Sequence, residues 1–148
     1  MDIEKSLYNN SLQQSYKYYI ETYGCQMNVY DSELVENQLI KTGYKETSNI
    51  ELADLIFLNT CAIREKAEIN VLNRLDNIKP LKKSKPHLLI GVLGCMAKNM
   101  KDILLEEKPF VDVILGPDSY RRIPEIIKSR ASIDYNSIVD TKLSKFEI

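Results

Sequence analysis

Three apolar, strand-like runs in this chain each end close to a cysteine, and each is followed by a helix-like run. Residues 17–23 precede Cys25, residues 55–59 precede Cys61, and residues 88–93 precede Cys95. The cysteines stand 36 and 34 residues apart, which is the length of one β-α unit. Strands that alternate with helical segments must be joined by crossovers, and crossovers build parallel sheets. Their usual right-handedness narrows the topology further. If the strands are parallel, all three thiols emerge at the same, carboxyl edge of one sheet, where open α/β sheets bind ligands.

The remaining pattern agrees with this. Tyr18, Tyr19, Ile20, Thr22 and Tyr23 are strand formers. After Asn28 a helix is expected, with Asp31 and Glu33 in its first turn, Leu34, Val35 and Leu39 on its buried face, and Gly43 as its stop. A short strand is expected over residues 44–47. Ile63, Ala67, Val71, Leu75 and Ile78 recur at helical spacing, with Arg64, Glu65, Lys66 and Glu68 mostly off that face, and Pro80 is expected to close this second helix. A third helix is expected over residues 97–107, a last strand over 111–115, a turn at Gly116-Pro117-Asp118-Ser119, and a final helix opened by Pro124 and running through Lys128. The expected fold class is α/β: a single three-layer domain with a mostly parallel sheet of about five strands, flavodoxin- or Rossmann-like. Residues 1–16 read as a flexible leader, 17–130 as the domain, and 131–148 as a linker or tail.

One buried cysteine is usually a small core hydrophobe. Three at equivalent strand ends carry a different meaning. Neighbouring strands lie about 4.8 Å apart, so their ends converge on one small cofactor, and each following helix turns its positive end toward that edge, which favours a thiolate. A zinc site with three cysteines and one histidine would need His87. That residue opens the strand whose far end carries Cys95, and eight residues of strand span roughly 26 Å. The same separation argues against a Cys–His nucleophilic pair. Zinc with three cysteines and a carboxylate or water remains open, although structural zinc sites favour short Cys-x-x-Cys spacings and none occurs here. Thiolates also bind iron–sulfur clusters, and three of them around a 4Fe–4S cube leave one iron free for another ligand.

Other features carry less. Met27 and Met96 flank cysteines and read as core filling or as a shield for a cluster. Asn28 and Asn59 read as turn caps ahead of hydrogen-bond donors to sulfur. The Gly91–Gly94 spacing reads as packing, and Arg121–Arg122 as a solvated basic spot. No nucleotide-loop or hydrolase motif occurs. Net charge is −1, so bulk charge gives no nucleic-acid footprint. No stretch approaches the roughly 18 apolar residues of a membrane span, and the polar first 17 residues are not a signal peptide. An odd number of cysteines, three, suits a reducing, cytoplasmic setting.

Thr22-Tyr23-Gly24-Cys25-Gln26-Met27-Asn28 with Asp31-Ser32-Glu33, then Asn59-Thr60-Cys61-Ala62-Ile63-Arg64-Glu65-Lys66-Ala67, then Gly94-Cys95-Met96-Ala97 resemble the amino-terminal motifs of the radical-SAM methylthiotransferases. The first two look like the MiaB branch, which modifies tRNA. The resemblance covers residues 17–130. It implies that Cys25, Cys61 and Cys95 hold an auxiliary 4Fe–4S cluster carrying the transferred sulfur. It implies a substrate, N6-isopentenyladenosine beside the tRNA anticodon, that gains a 2-methylthio group. S-adenosylmethionine and a second 4Fe–4S cluster would bind in a following radical-SAM domain whose Cys-x-x-x-Cys-x-x-Cys motif is not in this sequence. tRNA would be gripped mainly by domains outside it. The chain alone is expected to be an inactive part of the enzyme, because the radical-SAM motif is absent, and to be monomeric and away from membranes. The alternatives are a methylthiotransferase acting on a protein side chain, a non-catalytic flavodoxin-like binding module, and a zinc-stabilised interaction domain.

Overall fold

The computed structural model describes residues 16–23, 28–60, 65–132 and 138–139. Its strands are β1 (Lys17–Tyr23), β2 (Lys45–Glu46), β3 (Leu55–Thr60), β4 (Leu89–Gly94), β5 (Val113–Leu115) and β6 (Ile138–Val139). Its helices are α1 (Asn28–Lys41), α2 (Glu65–Ser84), α3 (Cys95–Glu107) and α4 (Ile123–Ser132), with 3₁₀ turns at Ile50–Leu52 and Pro117–Arg122. The strands form one sheet in the order β2-β1-β3-β4-β5-β6, with every pairing parallel. The first five strands thus follow the 2-1-3-4-5 order of flavodoxin-like folds, in the α/β class expected, with a short sixth strand added beside β5.

Two apolar clusters sandwich the sheet. On one face Val71, Leu75 and Ile78 of α2 and Ala97, Met100 and Leu104 of α3 pack on Ile56, Leu58, Ile90 and Val92. On the other, Val35 and Leu39 of α1 and Ile123, Ile126 and Ile127 of α4 pack on Tyr18, Leu55, Phe57 and Val113. The helical repeat ending at Val71, Leu75 and Ile78 therefore marks a core face, while Ile63 lies outside the described residues. β3 is buried along its whole length, as a strand covered on both faces must be. Gly91 is a packing residue: a β-carbon there would come within 2.6 Å of the Phe57 ring.

Two expectations change. Pro80 does not close α2, which continues to Ser84. Proline removes one helical N–H and crowds the carbonyl four residues back. The last turn is held regardless, because Lys82 pairs with Asp112 and donates to the Phe110 carbonyl, and Lys85 N–H donates to Leu81 O. In the segment 131–148, residues 131 and 132 extend α4, and Ile138–Val139 pairs with Val113–Ile114. The leader over residues 1–15 lies outside the described residues; Tyr16 packs against Tyr44 and His87. Among the described residues, no helix is long and apolar enough to cross a membrane.

Candidate metal centre

The last rows of β1, β3 and β4 end level. Tyr23 is the register partner of Thr60, and Thr60 of Gly94. Cys61 and Cys95 are the next residues after Thr60 and Gly94, and Cys25 is the second after Tyr23. The ends of three adjacent parallel strands, each followed in sequence by a cysteine, thus stand side by side at one edge, with about 5 Å between neighbours. Cys25 and Cys61 themselves lie outside the described residues. Cys95 is described: it is a free, exposed thiol at the first residue of α3. Gly94 supplies no side-chain cap to this helix, whose amino end, where N–H groups lack intrahelical partners, stands at the carboxyl end of β4. β1 and β3 also flank the switch point of the sheet, since the chain leaves β1 toward α1 on one face and β3 toward α2 on the other. That crevice is the usual ligand site of such sheets.

The junction of β3 and β4 is tight. Gly94 has φ of +110°, and a β-carbon on it would lie 1.6 Å from the Thr60 carbonyl oxygen. The Thr60 hydroxyl donates to the Leu93 carbonyl at 2.7 Å. The residues just before Cys61 and Cys95 are thus in backbone contact, which only glycine permits at the second position.

Two polar clusters brace the edge from either face. On the α2 side, Glu21 receives Arg74 Nε at 3.0 Å and Nη2 at 2.5 Å, with the Tyr23 hydroxyl at 2.6 Å and the Tyr19 hydroxyl at 3.1 Å. Burial would raise the Glu21 pKa, but the Arg74 and tyrosine hydrogen bonds outweigh it and hold the carboxyl below the usual carboxylate range. Burial, reinforced by Glu21, pushes the Tyr23 hydroxyl well above its ordinary value. On the α1 side, Asn59 is 1% exposed. Its Nδ2 donates to Ser32 Oγ at 2.9 Å, its Oδ1 accepts from the Tyr120 hydroxyl at 3.4 Å, and Ser32 Oγ is 3.1 Å from Thr22 Oγ1. Asn59 is therefore a buried tie between elements, where the sequence suggested a turn cap.

His87 stands at the other end of β4, outside the first strand residue, with its Nε2 2.8 Å from Asp54 Oδ1. It borders a cavity of about 400 Å³ at the amino edge, beside Tyr16, Asp54 and the Lys82–Asp112 pair. Burial, with the Asp54 charge, pushes the Tyr44 hydroxyl there up to about 12. This cavity lies at the edge opposite Cys95. Among the described residues no three His, Cys, Asp or Glu side chains form a metal-sized group. The sequence reading missed Glu21–Arg74 and the role of Asn59. The signal was present: Arg74 falls within the apolar stripe of Val71, Leu75 and Ile78, and Asn59 ends an otherwise apolar strand.

Residues 17–116 match the family described as "Uncharacterized protein family UPF0004". The chain is 47% identical over 119 residues to the "tRNA-2-methylthio-N(6)-dimethylallyladenosine synthase" of Chloroherpeton thalassium, covering 80% of this chain and 26% of that protein. It is 50% identical over 113 residues to the protein of the same name from Bacteroides fragilis, covering 76% and 24%. It is also 50% identical over 115 residues to the "Mitochondrial tRNA methylthiotransferase CDK5RAP1" of Homo sapiens, covering 75% and 19%. The chain spans about a quarter or less of the length of these relatives.

Proposed function

The chain belongs to the UPF0004 family, the amino-terminal domain of the methylthiotransferases, and we propose that it holds the auxiliary 4Fe–4S cluster of a tRNA methylthiotransferase through Cys25, Cys61 and Cys95. One observation carries the reading: Tyr23, Thr60 and Gly94 stand in register on three adjacent strands, each followed within two residues by a cysteine. The donor set fits, because thiolates are the protein ligands of such clusters and three of them leave one iron open. When bound, the cluster would supply the sulfur of the methylthio group. The protein's own part is to hold. The Thr60–Gly94 contact fixes two of the strand ends, the level end of β1 brings the third, and the amino end of α3 stands at the carboxyl end of β4.

The relatives' names support N6-dimethylallyladenosine (isopentenyladenosine) in tRNA as the substrate of the whole protein, with a 2-methylthio group as the product. S-adenosylmethionine and the second cluster would be held by a radical-SAM domain, since all three cysteines of this chain are already assigned. tRNA would be gripped mainly by other domains, and the setting would be the cytoplasm, where thiols stay reduced. By itself the chain should bind a cluster without turning over.

Anaerobic reconstitution with iron and sulfide tests this. One 4Fe–4S unit per chain, lost in each of Cys25→Ala, Cys61→Ala and Cys95→Ala, is the expected result. Absence of iron uptake by the folded wild-type chain, or tight zinc binding with no affinity for iron, overturns it.

A further inference from the structure

We propose that the cavity at the amino edge of the sheet is a second binding site, for a small planar cation bearing N–H donors, of the guanidinium or amidinium class. Its volume of about 400 Å³ is in the range of small-molecule sites. Leu88, Leu89 and Ile127 give it an apolar side, and Tyr16, Tyr44 and Asp54 a polar one.

Tyr44 asks for a ligand. It is only 8% exposed, yet its hydroxyl has no hydrogen-bond partner among the described residues. A buried hydroxyl left in that state is costly and uncommon. The chain nevertheless holds the ring in place. Tyr44 N–H donates to Leu39 O at 3.1 Å, Lys45 N–H donates to Tyr16 O at 2.9 Å, and the Tyr16 and Tyr44 rings lie 5.7 Å apart. Burial, then the Asp54 charge and the Tyr16 phenol, push the Tyr44 hydroxyl up to about 12. It therefore feels two other walls of the same cavity and keeps its proton at neutral pH.

Asp54 sets the sign of the ligand's charge. Its Oδ2 accepts the Lys17 N–H at 2.9 Å and its Oδ1 is 2.8 Å from His87 Nε2, which leaves further lone pairs on the carboxylate. Its ion-pair partner among the described residues is His87, which is charged only when protonated. Lys82, the lysine of the cavity wall, is engaged by Asp112 and by the Phe110 carbonyl. An anion would meet a carboxylate and a lysine already committed. A neutral ring would leave the Asp54 charge unanswered. A planar cation gives one N–H to Asp54 and another to the Tyr44 oxygen, and lays its face on a tyrosine ring as guanidinium groups do.

Benzamidine, benzamide and benzoate test this, because they share a shape and carry positive, no and negative charge. Binding to the 148-residue chain at neutral pH is followed by NMR through the amides of Tyr44, Leu88, Leu89 and Ile127. Benzamidine should bind with a dissociation constant of about 1 mM or below, a scale suited to a fragment. Its affinity should exceed that of benzamide about tenfold or more, the factor for a contact to a charged group, and benzoate should bind most weakly. Tyr44→Phe should weaken benzamidine binding about twofold to tenfold, the factor for one net hydrogen bond. It should not lower the urea midpoint, since the hydroxyl it removes has no partner in the unliganded chain. Asp54→Asn should abolish the preference for benzamidine over benzamide; should that variant fail to fold, Tyr44→Phe and the three probes decide. Equal affinity for the three probes, a preference for benzoate, shifts confined to other parts of the sheet, or unchanged benzamidine binding in Tyr44→Phe overturns the proposal.

Discussion

The carbonyl oxygen of Thr60 occupies the place where a side chain on Gly94 would begin, 1.6 Å from an ideal β-carbon. Gly94→Ala must therefore push β3 and β4 apart where both cysteine-bearing segments leave the sheet. Its extended, positive-φ backbone adds strain that only glycine avoids. The expected loss of stability is at least about 3 kcal/mol, the upper end of such strain, measured by urea denaturation. Gly43 supplies the control. It also has positive φ, +100°, but nothing lies within 4 Å of a β-carbon there. Gly43→Ala should cost only about 1–2 kcal/mol, the left-handed penalty alone.

The Glu21–Arg74 pair predicts an acid limb in the stability curve. The folded-state pKa of Glu21 lies below its ordinary value, because the hydrogen bonds from Arg74 and the tyrosines outweigh its burial. Its contribution is complete above that value and is lost as pH falls through the lower, folded-state one. Arg74→Ala removes the main stabiliser of the charged form, so the decline should begin at higher pH and neutral-pH stability should drop by about 1.5–2 kcal/mol, the lower end of the range for hydrogen bonds to charged groups. Denaturant midpoints between pH 3 and pH 7, roughly the carboxylate range, will show the shift. Superimposable curves for wild type and variant would remove the pair from the account.

Lys82 and Asp112 hold the turn beyond Pro80. Asp112 has a side chain only 4% exposed and also accepts the Ile90 N–H at 2.9 Å. Lys82→Ala removes this cation from that carboxylate. Loss of one partner of a fully buried pair costs about 3–5 kcal/mol; with Lys82 22% exposed, about 2 kcal/mol is expected. Amide hydrogen exchange should speed up selectively at Leu81–Lys85. Protection equal to wild type there would show that the turn stands without the pair.

His87 should be dispensable for metal binding. Its side chain is 56% exposed and engaged with Asp54 at the amino edge. His87→Ala should leave iron uptake unchanged and alter stability by no more than about 0.5 kcal/mol, as surface substitutions do. A drop in bound metal on that substitution would revive a three-cysteine, one-histidine site.

The fold was legible where one period dominates. β1 runs from Lys17 to Tyr23 as its tyrosines suggest, and Val71, Leu75 and Ile78 are buried as their spacing requires. It was less legible where tertiary contacts override local rules. Pro80 looks like a stop because its cost is local, whereas the Lys82–Asp112 contact that carries α2 past it joins residues 30 apart in sequence. Arg74 was passed over and Asn59 read as a cap for the same reason. Each is a polar residue in an apolar run, and only the partners Ser32, Tyr120 and Glu21, brought in by the fold, give it meaning. For the site, sequence spacing gave the common edge, and the register of Tyr23, Thr60 and Gly94 gave its alignment.

A sheet whose strands all run one way cannot be laid down as successive hairpins. β3 comes to lie between β1 and β4, and each neighbour is reached only after the chain has travelled back along the sheet. As the polypeptide leaves the ribosome, the level row of Tyr23, Thr60 and Gly94 is complete only once β4 has docked.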